Sequence, residues 1–212
     1  GDFRSTRDGQ VVCIHDADLR RIGGIARLVA ESTLSQLQEV DAGVWKGAKW
    51  KGERIPTFED VLDILPDGKR LFLEIKSGPE LLSPIRAILK TRRQRPESMV
   101  IISFHPRVIE AAKRILPDLA ANWLVAFTPD PATRRWRPSA GDAASTALQV
   151  RADGVSFQHH IAADAEFVRE LQMHGLSAHV WTVNDAATAA RYARLGVGSI
   201  TTDCPRLLQG IR

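Results

Sequence analysis

From residue 71 onward the hydrophobic pattern repeats. Apolar runs of strand length at 71–75, 100–103, 121–126, 154–157, 177–182 and 199–202 alternate with stretches at 79–93, 107–115, 143–149, 162–174, 186–195 and 205–211 that have helical character. The alternation predicts six β/α units in succession. Strands linked through helices lie parallel, and eight such units close a (β/α)8 barrel. The expected fold class is therefore α/β, a TIM barrel, with the chain about one unit short.

The clearest run is Leu71-Phe72-Leu73-Glu74-Ile75-Lys76, whose near-continuous apolarity predicts a strand buried on both faces. It ends in a carboxylate and an ammonium, immediately before Ser77-Gly78-Pro79. Burying both is costly unless each has a partner. A bound cation for Glu74 and an anion for Lys76 would serve; from these six residues alone, a plain strand-end ion pair is the simpler reading.

Ahead of the repeat, two short extended pieces flank Thr6-Arg7-Asp8-Gly9, and Asp-Gly between β-formers predicts a hairpin whose second strand delivers His15 and Asp16. Thr57 is placed to cap a helix over 58–65. Between them, 17–57 breaks the pattern, with a short helix expected over 32–39, capped by Ser32-Thr33, and a Lys/Trp/Gly stretch read as solvated surface. A proline-rich segment at 128–141 predicts a long loop or lid. The expectation is one domain, 1–212, carrying a small insertion at about 17–57.

Composition narrows the function. Hydrophobic residues at 44% and charged residues at 25% are ordinary for a globular chain and exclude a disordered one. The net charge is only +4 and the arginines are scattered, so no nucleic-acid partner is expected. No apolar run is long enough for a transmembrane segment. Cys13 and Cys204 show no metal-ligand or redox spacing and are expected to be free thiols.

In a barrel the chemistry sits at the C-terminal ends of the strands. Here those ends carry Asp2, His15, Glu74, Lys76, Ser103, Phe104, His105, Trp181, Asn184 and Asp203, a more polar and aromatic set than structure alone requires. Asn184 has an alternative as the cap of the following helix, and Asp16 reads as a supporting or turn residue. His105, His159, His160, His174 and His179 are expected to be structural or solvated.

Several stretches resemble, in order, the motifs of glycerophosphodiester phosphodiesterases. They are Asp2-Phe3-Arg4-Ser5-Thr6-Arg7-Asp8-Gly9, His15-Asp16, Gly52-Glu53-Arg54-Ile55-Pro56-Thr57, Leu73-Glu74-Ile75-Lys76, Ser103-Phe104, Trp181-Thr182-Val183-Asn184-Asp185, and Gly196-Val197 with Thr202-Asp203-Cys204-Pro205. The resemblance implies a barrel of the phospholipase C-like phosphodiesterase type. It implies hydrolysis of glycerophosphodiesters to glycerol 3-phosphate and an alcohol, aided by a divalent metal, Ca²⁺ or Mg²⁺. Asp2 and Glu74 become the metal ligands, hard oxygens suited to either ion. His15 and Lys76 become catalytic, His15 because imidazole exchanges protons near neutral pH and Lys76 as positive charge against a phosphate oxygen. Lys76, Trp181, Ser103, Phe104 and Asn184 are the expected substrate contacts, with Trp181 a flat wall for glycerol carbons.

The chain also departs from the family pattern. The Glu of a Glu-x-Asp pair would precede Gly1, and a His-Arg pair on a first barrel strand finds no match. The resemblance thus implies an N-terminally truncated barrel lacking its first β/α unit, impaired or inactive as it stands, with exposed sheet edges that would favour a homo-oligomer. A non-catalytic phosphoester-binding barrel, or a mere fragment, is the alternative. The compartment is open: the cytoplasm is the default, with a periplasmic or secreted setting compatible. A phospholipase would need a larger apolar rim. A retaining glycosidase would need a second carboxylate roughly 5 Å from Glu74 and would leave Lys76 unexplained.

Overall fold

The computed structural model describes residues 1–93 and 95–210. It divides into two compact units, Gly1–Ile101 with Arg114–Ala120, and Ile102–Lys113 with the segment from Ala121 onward.

In the first unit β1 (Asp2–Ser5) and β2 (Val11–Cys13) form the expected hairpin, pairing Phe3 with Cys13 and Ser5 with Val11. Gly9 takes φ +77° at its tip, a conformation that costs glycine little. Next come β3 (Asp18–Leu19), α1 (Arg20–Gly23), β4 (Ile25–Leu28) and α2 (Leu34–Gln38). The cap of α2 is Thr33, in a reciprocal box with Gln36; Ser32 is buried and donates instead to the Leu28 carbonyl. Residues of 17–57 have a core of their own: Leu19, Ile22, Val29, Leu37, Val40 and Ile55 pack with Val12 and Ile14. The Lys/Trp stretch is tied down by Asp41, which accepts from the amides of Gly43, Val44 and Gly52 at 2.9, 3.0 and 2.8 Å. Gly43 is required there, because a Cβ would overlap the Trp50 carbonyl.

Thr57 caps α3 (Phe58–Asp63) as expected. Phe58 meets Phe3 edge to face at 5.3 Å, both fully buried, which fixes β1 against the helix. β5 (Leu71–Ile75) has the expected bounds, but only Leu73 and Ile75 are buried; Leu71, Phe72 and Glu74 are partly exposed, so the strand is not covered on both faces. α4 (Leu82–Arg92) follows a short 3₁₀ turn. β6 (Met99–Ser103) and α5 (Pro106–Ile115) run through the boundary between the units. The strand order in the first unit is β6, β5, β1, β2, with β1 parallel to β5 and antiparallel to β2.

The second unit begins with β7 (Ala120–Val125). The segment 128–141 is no open loop: β8 (Thr128–Pro129) pairs with β9 (Trp136–Arg137), Asp130 closes the turn, and Arg137 reaches both Asp130 and Asp142. α6 (Ala140–Gln149) starts earlier than expected because Ser139 and Asp142 form a capping box. β10 (Gly154–Gln158), α7 (Ala165–Met173), β11 (Ser177–Trp181), α8 (Ala186–Arg194) and β12 (Ser199–Ile200) complete it, in the order β7, β10, β11, β12, all parallel. The helix expected over 205–211 is absent among the described residues: 205–210 form turns, and residue 211 lies outside them. No described helix is long and apolar enough to cross a membrane.

Candidate active site

The first unit gathers the charged residues. β1 and β5 lie in parallel register with Asp2 opposite Glu74 and Phe3 opposite Ile75. Side chains alternate along strands. Phe3, Leu73 and Ile75 are therefore buried on one face, while Asp2, Arg4, Glu74 and Lys76 share the other. Asp2 begins its strand rather than ending it, contrary to expectation; because β1 starts where β5 finishes, it still reaches the C-terminal end of β5.

Lys76 Nζ stands 2.8 Å from Glu74 Oε1 and 3.4 Å from Asp2 Oδ1. The simple ion pair of the sequence reading is therefore present, joined by a second carboxylate. The three side chains are mostly enclosed, with 16% of Lys76 and Glu74 and 31% of Asp2 exposed. Burial pulls the Arg4 guanidinium below its usual pKa, against the opposing pull of Asp16, Asp2 and Glu74, so Arg4 lies in the field of all three carboxylates.

His15 lies just past β2, and the amide of its neighbour Ile14 donates to the Asp2 carbonyl at 2.8 Å. Arg4 grips the His15 carbonyl with Nε and Nη2 at 3.1 and 2.9 Å. The imidazole is exposed, with Nδ1 2.8 Å from Asp16 Oδ1, and Arg21 Nε donates to the other Asp16 oxygen at 2.6 Å. Those two partners, Arg21 foremost, hold the Asp16 carboxyl down to about 2. An ionised carboxylate only accepts, so Nδ1 carries a proton and Nε2 is the nitrogen left to exchange one.

The second unit gathers the aromatic residues. Trp181, at the end of β11, donates through its indole to the Ser156 carbonyl at 2.9 Å and meets Phe104 edge to face at 5.6 Å. The Phe104 carbonyl accepts from the Trp123 indole at 3.1 Å, while the Phe104 ring stays 40% exposed. Ser103 is fully buried, and its Oγ accepts from the His105 amide, which makes it a support of the β6–α5 turn. Asn184 does not cap α8; Asp185 does. Asn184 accepts from Thr202 Oγ1 and the Asp203 amide and donates to the Asp203 carboxylate, pinning the segment after β12. His159 meets the Tyr192 hydroxyl and His160 packs between Phe127 and Trp136, both in structural settings.

Two residues of this arrangement carried no role in the sequence reading. Arg4 was legible, because a residue two places from Asp2 on a strand shares its face. Arg21 was not, since only folding brings it to Asp16.

The family model of the glycerophosphoryl diester phosphodiesterase family matches residues 1–207. Glycerophosphodiester phosphodiesterases from Caldanaerobacter subterraneus and Bacillus subtilis are 29% and 27% identical, over 98% and 100% of this chain and 82% and 75% of theirs. Among solved structures, an Oleispira antarctica phosphodiesterase in complex with the product sn-glycerol-3-phosphate superposes with a TM-score of 0.84 at 23% identity, over 99% of this chain and 82% of that one. A Thermotoga maritima glycerophosphodiester phosphodiesterase does so at 0.71 and 23%, over 100% and 83%. That likeness assigns the fold as α/β of the TIM-barrel type. With the family model matched over almost its whole length, the chain belongs to the glycerophosphoryl diester phosphodiesterase family of hydrolases.

Proposed function

We propose that the protein hydrolyses glycerophosphodiesters to glycerol 3-phosphate and an alcohol, with Asp2 and Glu74 holding a divalent cation, Mg²⁺ or Ca²⁺. The observation that carries this reading is the convergence of two hard-oxygen carboxylates, Asp2 and Glu74, from paired strand positions onto one ammonium. The donor set fits: both ligands are hard oxygens on paired strand positions, and Mg²⁺ in particular is commonly bound by one or two carboxylates, waters and substrate phosphate. Among the described residues no group of three or more His, Cys, Asp and Glu side chains is arranged for a metal, and Asp2 and Glu74 are the pair that would hold it. When bound, such an ion neutralises charge developing on the phosphoryl oxygens.

The chain's own residues do the rest. Lys76, beside both carboxylates, would set its charge against a phosphate oxygen. His15, entering the step as imidazolium, gives its Nε2 proton to the departing alkoxide as the bond from phosphorus to that oxygen breaks. Water's oxygen bonds to phosphorus on the opposite side, its proton passes to solvent, and the imidazole is reprotonated from solvent afterwards. Trp181 and Phe104 would offer apolar faces to the glycerol carbons, while Ser103 and Asn184 hold the turns that follow β6 and β12. Residues 17–57 form an insertion into a single barrel domain. The deciding experiment is release of glycerol 3-phosphate from glycerophosphocholine with Mg²⁺ or Ca²⁺, abolished by chelator and restored by added metal. Tight phosphoester binding without product, at any metal concentration, would establish the binding-only alternative instead.

A further inference from the structure

We propose that Arg21 is a positioning residue for His15, acting through Asp16 and held in place by Trp45 of the 17–57 segment. This rests on the reading of His15 as the acid/base. An imidazole 62% exposed on a bend has little packing to orient it. Its orientation here comes from a chain of single contacts. His15 Nδ1 meets Asp16 Oδ1 at 2.8 Å, Asp16 Oδ2 accepts from Arg21 Nε at 2.6 Å, and the Arg21 guanidinium lies 4.7 Å from the Trp45 ring centroid. Trp45 is itself anchored, its indole donating to the Ala42 carbonyl at 2.9 Å.

Each link has a chemical reason. Asp16 follows His15 directly, and side chains of adjacent residues diverge unless something turns one toward the other. Arg21 provides that second hold. Arginine, unlike lysine, both directs an N–H along its plane and offers a flat face to an indole. The consequence is a fixed tautomer, Nδ1 protonated and Nε2 left for the substrate. It also supplies compensation: when His15 takes up a proton its charge faces Asp16, and that of Asp16 faces Arg21. Arg4 completes the mounting from the backbone side through the His15 carbonyl. The Trp45 stretch is thereby part of the catalytic support rather than solvated surface alone.

The test pairs kinetics with ¹⁵N NMR of the histidine ring in Arg21→Ala, Arg21→Lys and Trp45→Ala. Arg21→Ala is expected to lower kcat about 10-fold, a fraction of what general acid–base catalysis contributes, with KM close to wild type. Its His15 ¹⁵N shifts should move from the Nδ1–H pattern toward a mixture of tautomers. Arg21→Lys and Trp45→Ala should fall between it and wild type. Wild-type ring shifts in Arg21→Ala overturn the proposal, whatever happens to kcat. Retained turnover in His15→Gln would instead overturn the acid/base reading, while the ring shifts in Arg21→Ala would still decide the linkage.

Discussion

The charged strand ends of the first unit and the aromatic strand ends of the second are placed by one device and held by opposite means. In the first, Asp2, Glu74 and Lys76 hold one another by charge, and His15 is held by Asp16 and Arg4. In the second, the polar atoms point into the protein: the Trp181 and Trp123 indoles donate to backbone carbonyls, and both ends of the Asn184 amide are engaged. What the second presents outward is carbon. The difference teaches that the same kind of position, a strand end, can be held by side-chain charges facing one another or by polar atoms spent on the backbone.

The comparison breaks first at Glu74. Replacing Glu74 by Gln should cost more than about 100-fold in kcat/KM, since even outer partners of a metal ligand are worth 10- to 100-fold; an unchanged rate measured in saturating Mg²⁺ would move the cation elsewhere. Trp181→Ala should act differently, raising KM about 10-fold with kcat nearly kept, as loss of apolar contact made equally in ground and transition states does. A fall in kcat alone would show that the wall orients the reacting atoms.

Acid sharpens the same contrast. Asp16 is ordinarily near 3.8 and is held at about 2 in the folded chain, mainly by Arg21, so its contribution to stability is complete above about pH 4. It is lost as pH falls through about 2, because the unfolded state then binds the proton more readily. Chemical denaturation followed from pH 5 to about 2 should show a loss that Asp16→Asn lacks. The smallest effect on turnover belongs to Asn184→Ala, which loses three exposed hydrogen bonds and should lower stability by about 1 kcal/mol while leaving KM unmoved. A raised KM would return Asn184 to the substrate.

Much of this was visible before folding. The run at 71–75, the Asp8-Gly9 turn and the Thr57 cap were legible because turn chemistry, capping and apolar runs are local effects, and each appears where expected. The errors also have local causes. The start of α6 is masked because its cap, Ser139, directly follows Pro138 inside a proline-rich stretch, and the same prolines disguise the β8–β9 pairing as a loop. Asn184 and Asp185 are both good caps by composition, and only the turn geometry chose between them.

The sequence by itself determined which residues share a strand face: period-two alternation places Asp2 with Arg4 and Glu74 with Lys76, whatever their neighbours do. Tertiary structure alone decided that β1 begins level with the end of β5, so that two carboxylates share one ammonium. It alone brought Arg21 to Asp16 and Trp45 to Arg21. Register and side-chain meeting depend on the packing of distant segments, and no local propensity encodes them.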